Sequence, residues 1–297
     1  MTAFQEIWDP WLIGLYMWLA GIAGMSSAAY AIMRWSNKRE GLRELALASP
    51  AATILALIFI TVDLSRPWNV SSAIIFSMLS GSFGILRSWM AAGMVLLILQ
   101  LLISLALALP YLAPKASKPK WLLGQPKWLL GAAAIVGVLV PMYTGFELSS
   151  APGVPFWGTA LMPVLWVISA SICVVALLKM SVRAVEVSAF LTRAGLVGLN
   201  VVQLIAVLAL VGVPLQSGSL AAKISAAALA YGELSAPFWT LVVGLGTLAP
   251  LALGFYMIKK ENKYIGAAAA VLALIGALAL RILVLQAGAF EALPPAS

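Results

Sequence analysis

The stretch GMVLLILQLLISLALALP, residues 93–110, runs for eighteen positions without a charged side chain. A helix that crosses a bilayer needs roughly 20 mostly apolar residues, and this run with its flanks supplies them. Runs of the same kind recur along the chain. We read eight spans, at about 11–33, 45–62, 84–110, 128–147, 159–179, 194–214, 237–258 and 264–285. Composition agrees: 63% of the 297 residues are hydrophobic and 9% are charged, against about 45–50% and about 25% in soluble domains. A soluble fold of this length has no interior large enough for that much apolar surface, whereas a bilayer is itself an apolar solvent. The expected architecture is an all-α, polytopic transmembrane bundle of eight helices, one domain over residues 1–297.

Basic residues orient the bundle. Arg34, Lys38, Arg39 and Arg43 lie between spans one and two, and Lys115, Lys118, Lys120 and Lys127 between three and four. Lys179, Arg183 and Arg193 lie between five and six, and Lys259, Lys260 and Lys263 between seven and eight. The other side holds only Arg66, Arg87, Lys223 and Arg281. Lys and Arg collect in cytoplasmic loops, so both termini are expected on the extracytoplasmic side. The net charge of +8 then reflects loops facing anionic membrane lipid and implies no nucleic-acid partner. The first ten residues carry no Lys or Arg, unlike a signal peptide's basic leader, so the first apolar run is expected to stay as a helix.

Finer features fit the same frame. Prolines 67, 114, 119, 152, 155 and 214 punctuate the loops. PKWLLG occurs twice, at 119–124 and 126–131, and reads as an interfacial duplication. Trp8, Trp11, Trp35, Trp89, Trp128, Trp157 and Trp239 fall at span ends, as in an aromatic belt. Glycines such as Gly21 and Gly24 read as close-packing sites between helices.

Two absences narrow the function. The chain has no histidine and one cysteine, Cys173. Haem in a membrane bundle normally takes axial His ligands, and an iron–sulfur cluster takes several Cys. No haem, iron–sulfur cluster or zinc site of its own is therefore expected, and Cys173 reads as a small buried hydrophobe. No Walker-type phosphate loop is present.

Ionisable groups in membrane spans are costly and usually functional. Here they converge on the outer side: Tyr16 in span one, Asp63 ending span two, Arg66 and Trp68 beyond it, Arg87 and Trp89 opening span three, Tyr143 and Glu147 ending span four, Glu233 before span seven, and Arg281 in span eight. Each has a plainer reading as an interfacial residue, and Arg281 as one that snorkels to the surface. The inner half offers Gln100, Asn200 and Gln203, either a proton path or interhelical hydrogen bonds. Arg183 and Glu186 read as a loop ion pair. A secondary transporter or ion channel is the rival reading, and a purely structural anchor a third. Transporter sites lie near the midplane, whereas these groups lie at one face.

The residues also resemble a family. Tyr16-Met-Trp-Leu-Ala-Gly-Ile-Ala-Gly24 is similar to the first helix of the polysulfide reductase membrane subunits of NrfD type. Asp63-Leu-Ser-Arg-Pro67 resembles the acidic turn after helix two, and Arg87-Ser-Trp-Met90 the opening of helix three. Pro141-Met-Tyr-Thr-Gly145 with Val154-Pro-Phe-Trp157, Pro237-Phe-Trp239 with Leu248-Ala-Pro250, and Leu280-Arg-Ile-Leu-Val284 follow in the family's order. The resemblance implies a haem-free anchor in a prokaryotic cytoplasmic membrane that exchanges electrons with a menaquinone-type quinone near the outer face. It also implies two partners there, a four-cluster iron–sulfur subunit and a molybdopterin catalytic subunit. The anchor alone would perform no terminal catalysis.

By the same resemblance Tyr143 contacts the quinone headgroup, and Tyr16 stands where a relative has histidine. Tyrosine ordinarily titrates near pKa ~10 and histidine near ~6.5, so Tyr16 is expected to orient the quinone and Asp63 to accept the proton. Arg66, Trp68, Arg87, Trp89, Glu147 and Arg281 complete the expected quinone site.

Overall fold

A computed structural model describes residues 3–6, 8–64, 89–112, 125–151, 153–181 and 185–291. Among them the chain is helical, apart from an isolated antiparallel bridge between Phe4 and Ala289. In hydrocarbon every backbone N–H and C=O must find an internal partner, and a continuous helix provides that. Eight helices are long and apolar enough to cross a membrane. The protein is a multi-pass membrane protein, as the sequence led us to expect.

The crossing helices are α1 (Pro10–Trp35), α2 (Leu42–Asp63), α3 (Trp89–Leu112), α4 (Lys127–Ser149), α5 (Leu161–Ser181), α6 (Val187–Leu215), α8 (Ser235–Lys259) and α9 (Lys263–Gln286). Each overlaps one expected span. A shorter helix, α7 (Leu220–Ala230), lies between α6 and α8. Its Ser219 cap and alanine-rich run are a helix-start signal, but eleven residues are too few to cross, so a search for spans passed it by. The first copy of PKWLLG lies outside the described residues. The second opens α4, with Trp128 exposed and Leu129 and Leu130 buried.

Local chemistry fixes the helix starts. The Asp9 carboxylate accepts from the Trp11 and Leu12 N–H groups, and Pro10 follows at the first helical position, where its missing N–H costs nothing. Asn262 caps α9 in the same way, through Tyr264 and Ile265. In α6 and α8 the bonding widens to i→i+5 over Leu191–Leu199 and Phe238–Leu248.

Helix α1 is the axis of the bundle, touching α2, α4, α5 and α9. Small residues let it approach closely. A Cβ on Gly24 would come 2.4 Å from the Gly137 carbonyl oxygen of α4. Between α8 and α9, a Cβ on Gly276 would come 2.1 Å from the Gly246 Cα.

Both termini lie at the same end of the bundle, which we call the terminal end. Gln5 N–H donates to the Gly288 carbonyl at 2.8 Å, and Phe290 N–H to that of Ala3 at 2.9 Å. Trp157 departs from the belt reading. It is buried, stacks on Trp8 at 5.6 Å, and its indole N–H donates to the Val284 carbonyl at 2.9 Å. Its ring closes the joint between the α4–α5 loop and the end of α9. Trp11, Trp35, Trp89, Trp128 and Trp239 are exposed, as belt residues are.

Candidate functional site

Toward the terminal end of the bundle, three polar side chains line up between α1 and α4. Tyr16 of α1 and Tyr143 of α4 are buried. The two side chains lie near one another, and Glu147 follows Tyr143 one turn on in α4. The i, i+4 spacing of Tyr143 and Glu147 puts both on one helix face. Glu147 Oε2 is enclosed by protein and has no hydrogen-bond partner among the described residues. The Tyr143 ring seats directly on Gly93 of α3, where a Cβ would lie 1.9 Å from Cζ and Oη. Trp89, one turn earlier in α3, stacks on Phe146 with ring centroids 5.5 Å apart and is tilted toward Tyr143 at 6.5 Å. Trp89 is exposed, so it forms the rim of this site. Chemically the row offers two hydroxyls and a carboxyl oxygen without a hydrogen-bond partner among the described residues, in an apolar frame.

A profile of the family described as polysulphide reductase, NrfD, matches residues 2–291. The chain belongs to the NrfD family. It is similar to Protein NrfD of Escherichia coli (strain K12), 28% identical over 305 aligned positions that take in 95% of each chain. It is also similar to the C subunit of polysulfide reductase from Wolinella succinogenes, 26% identical over 304 positions, covering 95% of this chain and 94% of the relative.

Of the other expected site residues of this NrfD-family chain, Asp63, Glu233 and Arg281 belong to other helices or their ends. Asp63 ends α2 beside Asp9, which caps the start of α1. Glu233 is exposed at the start of α8. Arg66, Trp68 and Arg87 lie outside the described residues. Arg281 does not snorkel: it is fully buried between α1, α5 and α9. It donates to Ser169 Oγ at 2.8 Å and the Ala277 carbonyl at 2.9 Å, and its guanidinium lies 5.3 Å from the centre of the Trp166 ring. No carboxylate pairs with it among the described residues. Polar atoms and the aromatic face share the task of solvating the charge.

The inner polar residues fall into separate groups. Gln100 Nε2 donates to Ser27 Oγ at 2.8 Å, Ser49 Oγ at 3.0 Å and the Ala23 carbonyl at 3.1 Å, tying α3 to α1 and α2. Gln203 Nε2 donates to Thr247 Oγ1 at 3.1 Å, tying α6 to α8, and Asn200 Nδ2 donates within α6 to the Leu196 carbonyl at 2.9 Å. Among the described residues no hydrogen bond joins Gln100 to the other two.

A cluster at the opposite end went unforeseen. Lys179 is buried in α5 rather than free in a loop. Its ammonium pairs with Glu261 Oε2 at 2.8 Å and donates to Ser188 Oγ at 2.7 Å and Thr192 Oγ1 at 2.5 Å. Burial alone would raise the Glu261 carboxyl, but hydrogen bonds from Lys179, Thr192 and Ser188 outweigh it and hold the group below its ordinary value. The cluster fastens α5, α6 and the α8–α9 turn together. The proposed partner of Arg183, Glu186, and Arg183 itself fall where no side chain is described. A cavity of about 470 Å³ also lies at that end, away from the tyrosine row. Its lining carries one titratable group, Lys38.

Proposed function

We propose that this chain is the quinone-reactive membrane anchor of an extracytoplasmic oxidoreductase, with the site at Tyr16, Tyr143 and Glu147. The observation that carries the reading is the enclosed Glu147 Oε2, unpartnered among the described residues, beside two buried tyrosines, in a chain of the NrfD family. A quinone headgroup fits such a frame: its carbonyls accept hydrogen bonds, its reduced hydroxyls donate them, and its ring is flat enough to lie beside Trp89. A bound menaquinone-type quinone would supply two-electron, two-proton redox chemistry.

The protein's residues bind, orient and move protons. Tyr143, held by Gly93, would donate a hydrogen bond from its hydroxyl to a headgroup oxygen. Tyr16 sets the direction of that hydroxyl. Glu147 Oε2 would accept the proton of a quinol hydroxyl. This takes the acceptor role from Asp63, which stands outward along α1: seven residues separate Asp9 from Tyr16, about 10 Å at 1.5 Å per residue. Asp63 then serves as the outlet that hands the proton to water. The positive-inside distribution of Lys and Arg supports placing the terminal end, and so the site, on the extracytoplasmic side.

The partners in this reading are a four-cluster iron–sulfur subunit and a molybdopterin catalytic subunit docked on that face. The Wolinella succinogenes relative carries the name of one lettered subunit of a polysulfide reductase, which supports a multi-subunit enzyme acting on a sulfur compound. The interrupted helices of transporter midplane sites are not found among the described residues, where α6 and α8 run unbroken from α to wider bonding.

The test is to purify the complex from native membranes and extract it with organic solvent. A lipid-soluble quinone co-purifying with an iron–sulfur subunit is the expected result, with the quinone lost from Glu147→Gln/Tyr143→Phe. A chain that purifies alone and quinone-free overturns the reading.

A further inference from the structure

The cavity of about 470 Å³ at the end opposite the termini lies between α1, α5 and the start of α6. Its volume is in the range of small-molecule sites. Along α1 it extends from Met25 to Ser36, eleven residues or about 16 Å at 1.5 Å per residue. That is the depth of one hydrocarbon leaflet, half of roughly 30 Å. The groove therefore starts near the midplane and ends at headgroup level, the path of a single acyl chain. Its walls are apolar, with Ile32, Val174, Leu178 and Phe190 among them, and its mouth is set by Ser36 and Lys38.

Charge at the mouth selects the headgroup. Lys38 is exposed and has no ion-pair partner among the described residues. The nearby Arg39 and Arg43 share a separate polar recess of about 320 Å³ with Glu40 and Glu44, so Lys38 is the cation left facing the groove. This end carries most of the chain's Lys and Arg, which draws anionic lipid to it. A quinone headgroup suits the groove poorly. Ser171 is the one polar side chain in its deep part, and its hydroxyl donates to the Val167 carbonyl at 2.7 Å.

We propose that the groove is a binding site for an anionic phospholipid, one acyl chain lying against α1 and α5 and the phosphate meeting Lys38. The site is independent of the tyrosine row. The test reconstitutes the full complex in nanodiscs of equal phosphatidylethanolamine and phosphatidylglycerol, then counts retained lipids by native mass spectrometry. Wild type should retain phosphatidylglycerol in preference. Ala29→Trp, which fills the groove, should abolish that retention while quinol-linked turnover persists. Lys38→Gln, a change on the exposed surface, should keep a lipid but lower the preference about fivefold, the worth of one Lys near a membrane surface. Equal retention of both lipids by wild type, or retention unchanged by Ala29→Trp, overturns the proposal. Release of quinone rather than lipid by Ala29→Trp also overturns it. If Ala29→Trp fails to fold, Lys38→Gln decides alone: an unchanged preference refutes the site.

Discussion

Gly93→Ala should disable the site without touching a polar atom. The added Cβ would lie 1.9 Å from the Cζ and Oη of Tyr143, whereas carbon and ring atoms in contact prefer about 3.5–4.0 Å. The Tyr143 ring must therefore retreat by about 1.6 Å or more. The clash is with the far end of a side chain, so the ring can swing while the helices stay packed, and the stability cost should stay within the ~1–3 kcal/mol of an overpacked core. Function should suffer far more. Productive geometry tolerates about 0.5 Å, and a 1 Å misplacement can cost ~10²-fold. We expect quinol oxidation to fall by roughly 10²-fold, with the complex assembled and its metal centres still reducible by artificial donors. The assay is turnover with a soluble quinol in native membranes, alongside titration of a quinone-site inhibitor. Gly212→Ala is the control, since a Cβ there meets nothing within 4 Å, and it should behave as wild type. Wild-type turnover and inhibitor affinity in Gly93→Ala would refute the placement of Tyr143 at the reacting headgroup.

The remaining predictions each isolate one group. Glu147→Gln should abolish proton-coupled turnover. Asp63→Asn should slow it while leaving inhibitor binding intact, and equal loss of binding in both would place them in one site. Tyr143→Phe should weaken inhibitor binding by ~0.5–1.5 kcal/mol, the net worth of a hydrogen bond. Arg281→Lys should lower thermal stability by about 2 kcal/mol, because a point-like ammonium cannot reach Ser169 and the Ala277 carbonyl and stack on Trp166 together; an unchanged melting temperature would refute this. Glu261 is held below its ordinary value of 4.5, so its pairing stabilises the fold above that value and is lost as pH falls through the lower folded value. The melting-temperature gap between wild type and Glu261→Gln should be full near pH 7 and close on acidification below about pH 4.5, and a gap independent of pH would contradict the pairing.

The spans were legible because a bilayer imposes one rule on every crossing helix, and uncharged runs of the required length are hard to mistake. Tyr16, Tyr143 and Glu147 were legible as polar residues that even-odd helix topology brings to one end. Other features depend on contacts between helices, which one-dimensional patterns do not record. Lys179 counted as a loop residue because it ends an apolar run, yet Glu261, eighty-two positions away, makes its burial tolerable. Arg281 lies near a helix end, where snorkelling is the ordinary outcome, but Ser169 and Trp166 of α5 enclose it. Trp157 sits at a span end like its belt counterparts, and only the folded N-terminal segment shows that it is covered. Gly93 carries no signal of its own in the sequence, and its fit to the Tyr143 ring appears only when α3 and α4 are side by side. Gln100, Asn200 and Gln203 share an inner half, but they divide between two helix groups.

The central claim is that a quinone headgroup lies against Tyr143 and Glu147, and its most direct measurement is photolabelling. The intact complex is illuminated with an azidoquinone, and the labelled peptides are identified by mass spectrometry. The account predicts label in 139–149 and 89–97, competed by unlabelled quinone and lost in Glu147→Gln. Label concentrated instead on residues 25–38 and 171–191, at the opposite end of the bundle, would contradict it.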